Sequence, residues 1–530
     1  MADLRKVLIS DKLAPEGVAI LEQAAGIEVE HLPGLKPEEL AARVAGCHGL
    51  LVRSGTRVTR ELLEAADSLE VVGRAGIGVD NVDVEAASKR GIVVMNTPTG
   101  NNVTTAEHTI SMLLAAARHI ARADASVRAG QWRRSDFIGT EVCNKTLGII
   151  GTGNVGAIVA DRARGLKMKV IAYDPYITEE AAERAGIEPV PLAELYARSD
   201  FISVHTPLTP ETEGMVGREA IEQMKPGVRV INCARGGIID EQALATAIAE
   251  GKVAAAAIDV FTDEPPPADH PLLGLDEVVV TPHLGASTDE AQLNVAVAVA
   301  EQMRDFLLHG VITNAVNVPS LPPETAEALL PYLSLGSRIG SMHAQLAGRI
   351  PNEVTIEFQG EVAEADSRPV TAAVLEGLLG AVMESPVNTV NAPLLARERG
   401  VKVAEVRTLE ASGFASAIQI TFTARGRSNI IAGAVFGGRV ARLVRFDDFY
   451  LECVPEGIIL VLHNRDVPGV VGRVGTFLGD EGVNIAGLAL GGDGEQAVSF
   501  VHVDKALSHE QLEALRALKD ITGADMVELD

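Results

Sequence analysis

Arg235, Glu264 and His283 each sit on a short glycine- or proline-containing loop that follows an apolar, β-branched run. Arg235 lies in Asn232-Cys233-Ala234-Arg235-Gly236-Gly237, and Glu264 in Asp263-Glu264-Pro265 after a strand ending at Phe261. His283 lies in Thr281-Pro282-His283-Leu284-Gly285-Ala286, after Val278–Val280. Oxidising an alcohol beside a carboxylate calls for these residue types: a cation for the carboxylate, a base for the hydroxyl proton, and an acid to orient that base. Arg235 can clamp a carboxylate with a bidentate pair. His283 can take the proton, and Glu264 can stabilise the imidazolium and fix its tautomer. Taken singly, each has a plain alternative: a solvated arginine at a Gly-Gly turn, an exposed acid in a proline-rich loop, a loop histidine. All three on strand-end loops of one unit point to catalysis, because open α/β sheets bind ligands there. Cys233 reads as a small packed residue, since no separate base is available to make it a nucleophile.

A nucleotide site precedes these loops. Thr146-Leu147-Gly148-Ile149-Ile150 runs into Gly151-Thr152-Gly153-Asn154-Val155-Gly156, which opens a helix reaching about Gly165. The next strand, Lys169 to Tyr173, ends at Asp174. In such an arrangement Gly151 allows the tight turn, Gly153 lets backbone approach a pyrophosphate, and Gly156 lets helix and strand pack closely. Free N–H groups at the helix start then hold the phosphates. Asp174 is placed to accept from the adenosine ribose hydroxyls, and its charge repels a 2′-phosphate, so NAD is expected rather than NADP. An Asp-Pro turn starter is the plain alternative for Asp174.

The elements that must position these loops alternate strand and helix from Val7 to about Val318, which implies parallel sheets covered on both faces. One run (VLIS, GLLVRS, LEVVGRAG, IVVMN) precedes a single long helix expected from Thr104 to Ala129; a second begins at Thr146. Pro319-Ser320-Leu321-Pro322-Pro323 signals a linker, and the stretch to about Pro455 mixes helix and strand. Gly457 to Asp530 reads as a ferredoxin-like βαββαβ unit with its hairpin at Gly491-Gly492-Asp493-Gly494.

The 530 residues call for three or four domains, and 47% hydrophobic with 22% charged residues describes a folded, soluble chain. A formal net charge of −26 repels phosphate backbones and anionic membranes, so no nucleic-acid or membrane partner is expected, and an anionic substrate needs locally gathered arginines. Cys47, Cys143, Cys233 and Cys453 form no CxxC pair, which suits a reducing cytoplasm and offers no metal site. No apolar run is long enough for a signal peptide or a membrane span, so a cytoplasmic location is expected.

GTGNVG with Asp174, His205-Thr206-Pro207, NCARGG, DVFTDEPP and PHLGAST resemble the signatures of the D-isomer-specific 2-hydroxyacid dehydrogenase family. The resemblance maps its catalytic set onto Arg235, Glu264 and His283. Its NAD contacts map onto Asn154, Val155, Asp174, Thr206, Cys233, Ala234, Asp259, His283, Gly285 and Ala286. Formate-oxidising members carry glutamine at the Glu264 position, so that reaction is disfavoured. Over the whole length the chain is similar to the long-form branch that oxidises 3-phosphoglycerate and opens L-serine biosynthesis. That branch implies two Rossmann-like doubly wound parallel-sheet domains, an α+β intervening domain and a ferredoxin-like ACT domain. The implied boundaries are 1–97 and 286–318 for the substrate domain, 98–285 for the NAD domain, 319–455 for the intervening domain and 456–530 for the ACT domain.

For a phosphorylated substrate the resemblance supplies Arg53, Ser54, Arg74, Gly76 and Asn101, with Arg134 reaching the active site of a neighbouring subunit in a homotetramer; a solvated surface charge is the plain alternative for each arginine, Arg134 above all. His463-Asn464-Arg465-Asp466-Val467-Pro468-Gly469 and Gly482-Val483-Asn484-Ile485 resemble the ACT signature. That implies L-serine bound by Asn464 and Asp466 of one subunit and Asn484 of the facing one, with turn shaping as the plain alternative for Asp466 and Asn484. Arg425, Arg427, Arg439, Arg442 and Arg445 could form a second anion site or a solvated basic face. Two other functions stay open at this stage: oxidation of an unphosphorylated acid such as lactate or glyoxylate, and a non-catalytic NADH-sensing corepressor.

Overall fold

The computed structural model describes residues 4–319, 323–383, 386–410 and 413–529. Ser320, Leu321 and Pro322 of the expected linker lie outside the described residues.

The first sheet is parallel, with Arg5–Ile9 between Ile27–His31 and Gly49–Val52, followed outward by Val71–Arg74 and Val93–Met95. Its strands Gly49–Val52, Val71–Arg74 and Val93–Met95 are short apolar runs buried on both faces, as helices on both sides demand, while the edge strand Ile27–His31 is mostly exposed. Asp289–His309, begun by a Thr288 cap and ended by Gly310 in the left-handed region, packs here, with Ala296, Val299 and Met303 in one core with Val7, Leu51 and Val71. After that helix, Ala315 pairs antiparallel with Met95 at the sheet edge.

The second sheet has seven parallel strands in the order Val278–Val280, Val253–Ile258, Val228–Asn232, Phe201–Val204, Thr146–Ile150, Lys169–Tyr173, Glu188–Pro189. The chain leaves Thr146–Ile150 toward one edge and returns to its other side at Phe201–Val204. That reversal opens a crevice at the carboxyl ends of the strands.

One expectation is corrected. The single helix read over Thr104–Ala129 is two, Asn102–Arg118 and Ile120–Arg128, separated by His119 at φ 54°. His119 turns the chain left-handed and donates its N–H to the Ala115 carbonyl. No glycine or proline marks this break, so the side-chain pattern runs across it unchanged.

The third sheet is mixed, ordered Lys402–Thr408, Glu353–Gly360, Ser416–Ala424, Arg427–Phe436, Val440–Phe446, Phe449–Cys453, with only the first pair parallel. Pro323–Ala347 and Arg368–Gly380 cover one face. The five arginines do not gather: Arg425 and Arg427 flank one hairpin and Arg439 the next, at its far end. Arg442 faces Glu452 at 3.6 Å, and Arg445 is tied to the Asp447 carbonyl and Gln419.

The fourth sheet is antiparallel, ordered Ile485–Gly492, Gln496–Val503, Gly457–Arg465, Ile521–Leu529, with helices Val470–Asp480 and His509–Arg516 completing the expected βαββαβ order. It shares a core with the third sheet, where the Phe446 and Phe500 rings meet edge to face at 5.3 Å. No helix among the described residues is long and apolar enough to cross a membrane.

Candidate active site

The glycine motif is built as its spacing predicts. Thr146–Ile150 ends at Gly151, whose φ of +89° and close neighbours at His205 and Thr206 leave no room for a side chain. Helix Asn154–Gly165 then starts without any side-chain cap. Its first N–H groups are therefore available to an anion. Space above Gly153 is open, whereas a Cβ on Gly156 would land on the Gly151 carbonyl oxygen. Gly156→Ala is expected to cost about 1–3 kcal/mol through overpacking, read as a lowered Tm together with weakened NAD binding.

Asp174 stands at the end of Lys169–Tyr173. Its Oδ2 accepts from the Thr152 N–H (2.7 Å) and hydroxyl (2.8 Å), and its Oδ1 from the Tyr176 N–H at 2.9 Å. Burial pushes its carboxyl upward, but these hydrogen bonds outweigh that and hold it below the usual carboxylate range. Asp174 therefore shapes the Asp-Pro turn and also presents a fixed negative charge beside the glycine loop. Thr206 carries a buried hydroxyl without a partner. The open space at Gly153, the uncapped helix start, the Asp174 charge and the Thr206 hydroxyl all fit a dinucleotide.

Arg235 is positioned by Asn232, which is 2% exposed and spans the loop from the Ala234 N–H (3.0 Å) to the Arg235 carbonyl (2.8 Å). Its guanidinium reaches the first sheet's loop: Nε donates to Asp80 at 2.7 Å, Nη1 to the Ala234 carbonyl at 2.7 Å, and Nη2 lies against Gly78. Arg74 follows Val71–Arg74 on that same side, with its Nε buried and unpartnered. Burial lowers Arg74 to about 10, and repulsion from Arg235 and then Arg53 adds to this against the opposing charge of Asp80. Arg53 donates its N–H to Asp11 at 2.6 Å. Arg74 and Arg235 thus flank the Gly76–Gly78 loop, and like charges gathered there in a protein of net charge −26 are stabilised by binding an anion. Ser54 is exposed beside Arg53, and Gly76, at φ +140°, is backed by the Arg74 guanidinium. Asn101, 8% exposed, leads into helix Asn102–Arg118 with its Oδ1 buried and unpartnered.

His283 and Glu264 meet as expected, with His283 Nδ1 at 2.7 Å from Glu264 Oε2. The other carboxylate oxygen of Glu264 accepts from the Phe261 N–H at 3.1 Å. Burial raises Glu264, but the hydrogen bond to His283 and its charge bring it below the usual range. An ionised Glu264 accepts a hydrogen bond from Nδ1–H, which leaves Nε2 as the basic nitrogen. Asp259 lies wholly buried beneath this loop, where its carboxylate accepts from Thr281, Leu284 and Gly285. Ala286 is half-buried just beyond. Asn154 is exposed and Val155 half-buried at the helix start, next to the strand-end loops. The Cys233 thiol is pushed up to about 12 by burial and by Asp259, in keeping with packing rather than nucleophilic or thiolate-ligand chemistry.

Arg134 is exposed on the turn Arg134–Phe137, beside Trp132 at 74% and Ile138 at 81% exposure. Asn464, Asp466 and Asn484 lie on the fourth sheet. Asn464 is buried, its amide already engaged with the Arg465 carbonyl and Ser499. Asp466 is exposed near the hairpin, while Asn484 is exposed at the opposite end of the sheet, where Ile485 pairs with Val503. Reading the sequence missed Asp80, Asp11 and His108. Each acts on a residue far away in the chain, and no local spacing announces such a partner; His108 carried a usable signal only in its place on one helix face with Thr104 and Thr105.

Comparison with known proteins covers nearly the whole chain. Residues 110–285 match the NAD-binding domain of D-isomer specific 2-hydroxyacid dehydrogenases, 328–447 the D-3-phosphoglycerate dehydrogenase intervening domain, and 458–520 the ACT domain. A D-3-phosphoglycerate dehydrogenase of Archaeoglobus fulgidus is 42% identical over 99% of this chain and 100% of its own. One of Bacillus subtilis is 38% identical over 99% of each. Among solved structures, Aquifex aeolicus D-lactate dehydrogenase in complex with NAD and lactic acid aligns over 60% of this chain and 100% of its own, at 28% identity and a TM-score of 0.53. With an NAD-binding domain, an intervening domain and an ACT domain in the same order as these full-length relatives, the chain belongs to the D-3-phosphoglycerate dehydrogenases of the D-isomer-specific 2-hydroxyacid dehydrogenase family.

Proposed function

We propose that the protein oxidises 3-phospho-D-glycerate to 3-phosphohydroxypyruvate with NAD, the first step of L-serine biosynthesis. The observation that supports this reading is that the Arg235 loop links two regions: its guanidinium lies with that of Arg74 along Gly76–Gly78, and its Gly236 packs on Phe261 and Thr262, the segment leading to the Glu264–His283 pair. Arg235 holds the substrate carboxylate, with the Asn101 Nδ2 amide group donating a further hydrogen bond to it. Arg53 and Arg74, beside Ser54 and Gly76, receive the phosphate. His283 takes the hydroxyl proton on Nε2, and Glu264 holds the imidazole and balances the charge that forms on it. NAD, when bound at the glycine loop, supplies the hydride acceptor. The hydroxyl carbon thus loses a hydride and the hydroxyl oxygen a proton, leaving the ketone.

The division proposed for the chain follows the sheets: 1–97 with 286–318, 98–285, 319–455 and 456–530. A homo-oligomer is proposed from the exposed Trp132, Ile138 and Arg134 segment, with Arg134 serving a neighbouring active site. L-serine is proposed as the ACT ligand. Asp466 and Asn484 stand at opposite ends of one sheet, so a site using both needs a second copy paired along strand Ile485–Gly492, whose Ile485, Leu488 and Leu490 are exposed. Rates on 3-phosphoglycerate are expected to fall as serine is added and to resist serine in Asn484→Ala; equal wild-type rates at all serine concentrations would remove the regulatory claim.

A substrate panel of 3-phosphoglycerate, lactate and glycolate at saturating NAD tests the function, and Arg53→Ala tests its selectivity. The variant is expected to lose rate on the phosphorylated substrate and little on the others. Unchanged selectivity would favour an unphosphorylated substrate. For the cofactor, Asp174→Asn is expected to raise KM for NAD about tenfold or more, the loss of a charge-assisted hydrogen bond of about 1.5–3 kcal/mol, and to narrow the preference over NADP; initial rates with each cofactor check it.

A further inference from the structure

His283 is held in the left-handed region at φ 55°, a conformation that costs a non-glycine residue about 1–3 kcal/mol and persists only where its surroundings over-determine it. Asp259 does most of that determining. Its carbonyl accepts the His283 N–H at 2.9 Å. Its carboxylate accepts from the Thr281 hydroxyl (2.6 Å), the Leu284 N–H (2.7 Å) and the Gly285 N–H (2.9 Å). Those residues surround His283 on both sides, so the orientation of one wholly buried carboxylate sets the place of the loop.

A further donor to that carboxylate comes from outside the loop: His108. His108 Nε2 lies 3.2 Å from Asp259 Oδ1 and 3.3 Å from the Thr281 hydroxyl. Two neighbours on the same helix face reach the same loop: the Thr105 hydroxyl donates to the Gly285 carbonyl at 3.0 Å, and Thr104 meets Thr288 at 3.2 Å. The helix is Asn102–Arg118, entered directly from Asn101 with its buried, unpartnered amide oxygen.

We propose that His108 is a positioning residue for the reaction: by bonding Asp259 it locks the loop that aims His283, and it ties that loop to the helix entered from Asn101. The inference rests on the reading of His283 as the base. His108 touches neither reacting atom; it acts through Asp259. The helix makes the substrate-side asparagine and the base loop parts of one rigid piece.

Full-length His108→Leu and His108→Gln separate this from a merely structural role. The glutamine keeps an N–H donor, and the leucine removes it. His108→Leu is expected to lower kcat about ten- to a hundredfold on 3-phosphoglycerate with little change in its KM, and to raise the primary isotope effect on substrate deuterated at C2, because hydride transfer becomes limiting. His108→Gln is expected to restore most of the rate and the smaller isotope effect. Wild-type kcat and isotope effect in His108→Leu would overturn the proposal, as would equal losses in both variants with unaltered thermal unfolding. Should the leucine variant fail to fold, the glutamine variant decides alone: near-wild-type kcat supports the donor role and a tenfold loss overturns it. Absence of wild-type turnover would instead overturn the reading of the site.

Discussion

Replacing His283 by Gln is expected to lower kcat by about 10²–10⁴-fold, the usual contribution of a positioned general acid–base, while NAD still binds. The expectation follows from the pair His283 Nδ1 to Glu264 Oε2 at 2.7 Å, in which Glu264 is ionised and Nε2 is left as the acceptor. Glutamine has no basic nitrogen to offer in that place. The glycine loop and Asp174 lie on other strand ends, so NADH fluorescence should still report cofactor binding, weakened only by the loss of His283's own contact. A variant that retained wild-type kcat would assign the proton to another group. Glu264→Gln would then separate holding from proton transfer: it keeps a hydrogen-bonding partner but loses the charge that balances the imidazolium, so a smaller loss in kcat is expected than for His283→Gln.

Arg235→Lys is expected to be almost as severe. Truncating one partner of a hydrogen-bonded charge pair costs about 2–5 kcal/mol, or about thirtyfold to several thousandfold, and lysine cannot reproduce the planar fork. In the structure that fork is already spent in part on orientation: Nε on Asp80 and Nη1 on the Ala234 carbonyl. Lysine would give up both bonds and the direction they impose. The loss should appear in kcat/KM for every 2-hydroxy acid offered, phosphorylated or not, since all carry the carboxylate. A loss confined to the phosphorylated substrate would move the carboxylate to Arg53 or Arg74 and reassign Arg235 to the phosphate.

The contrast between these arginines shows what sequence can and cannot reveal. Arg235, Glu264 and His283 were legible because each sits on a loop directly after an apolar run, and parallel sheets bring all such loops to one edge. The glycine loop was legible for the same reason, since its backbone demands are local: Gly151 needs its positive φ and Gly156 its close approach to Gly151. That both sheets are parallel follows from strand–helix alternation; their strand orders were visible only in the structure. Partners fixed only by the fold were not legible. Asp80 bonds Arg235 across 155 positions and His108 lies at 3.3 Å from Thr281 across 173. The break at His119 was hidden too, because a single left-handed residue leaves the hydrophobic pattern of the two helices intact.

The most direct measurement is the initial rate of NADH formation by the full-length protein with 3-phosphoglycerate, beside lactate and glycolate, for the wild type and for Arg74→Ala. Robust NADH formation from 3-phosphoglycerate, far above that from the unphosphorylated acids and falling toward their level in Arg74→Ala, is the predicted result. No NADH from 3-phosphoglycerate while lactate or glycolate is oxidised would contradict the account.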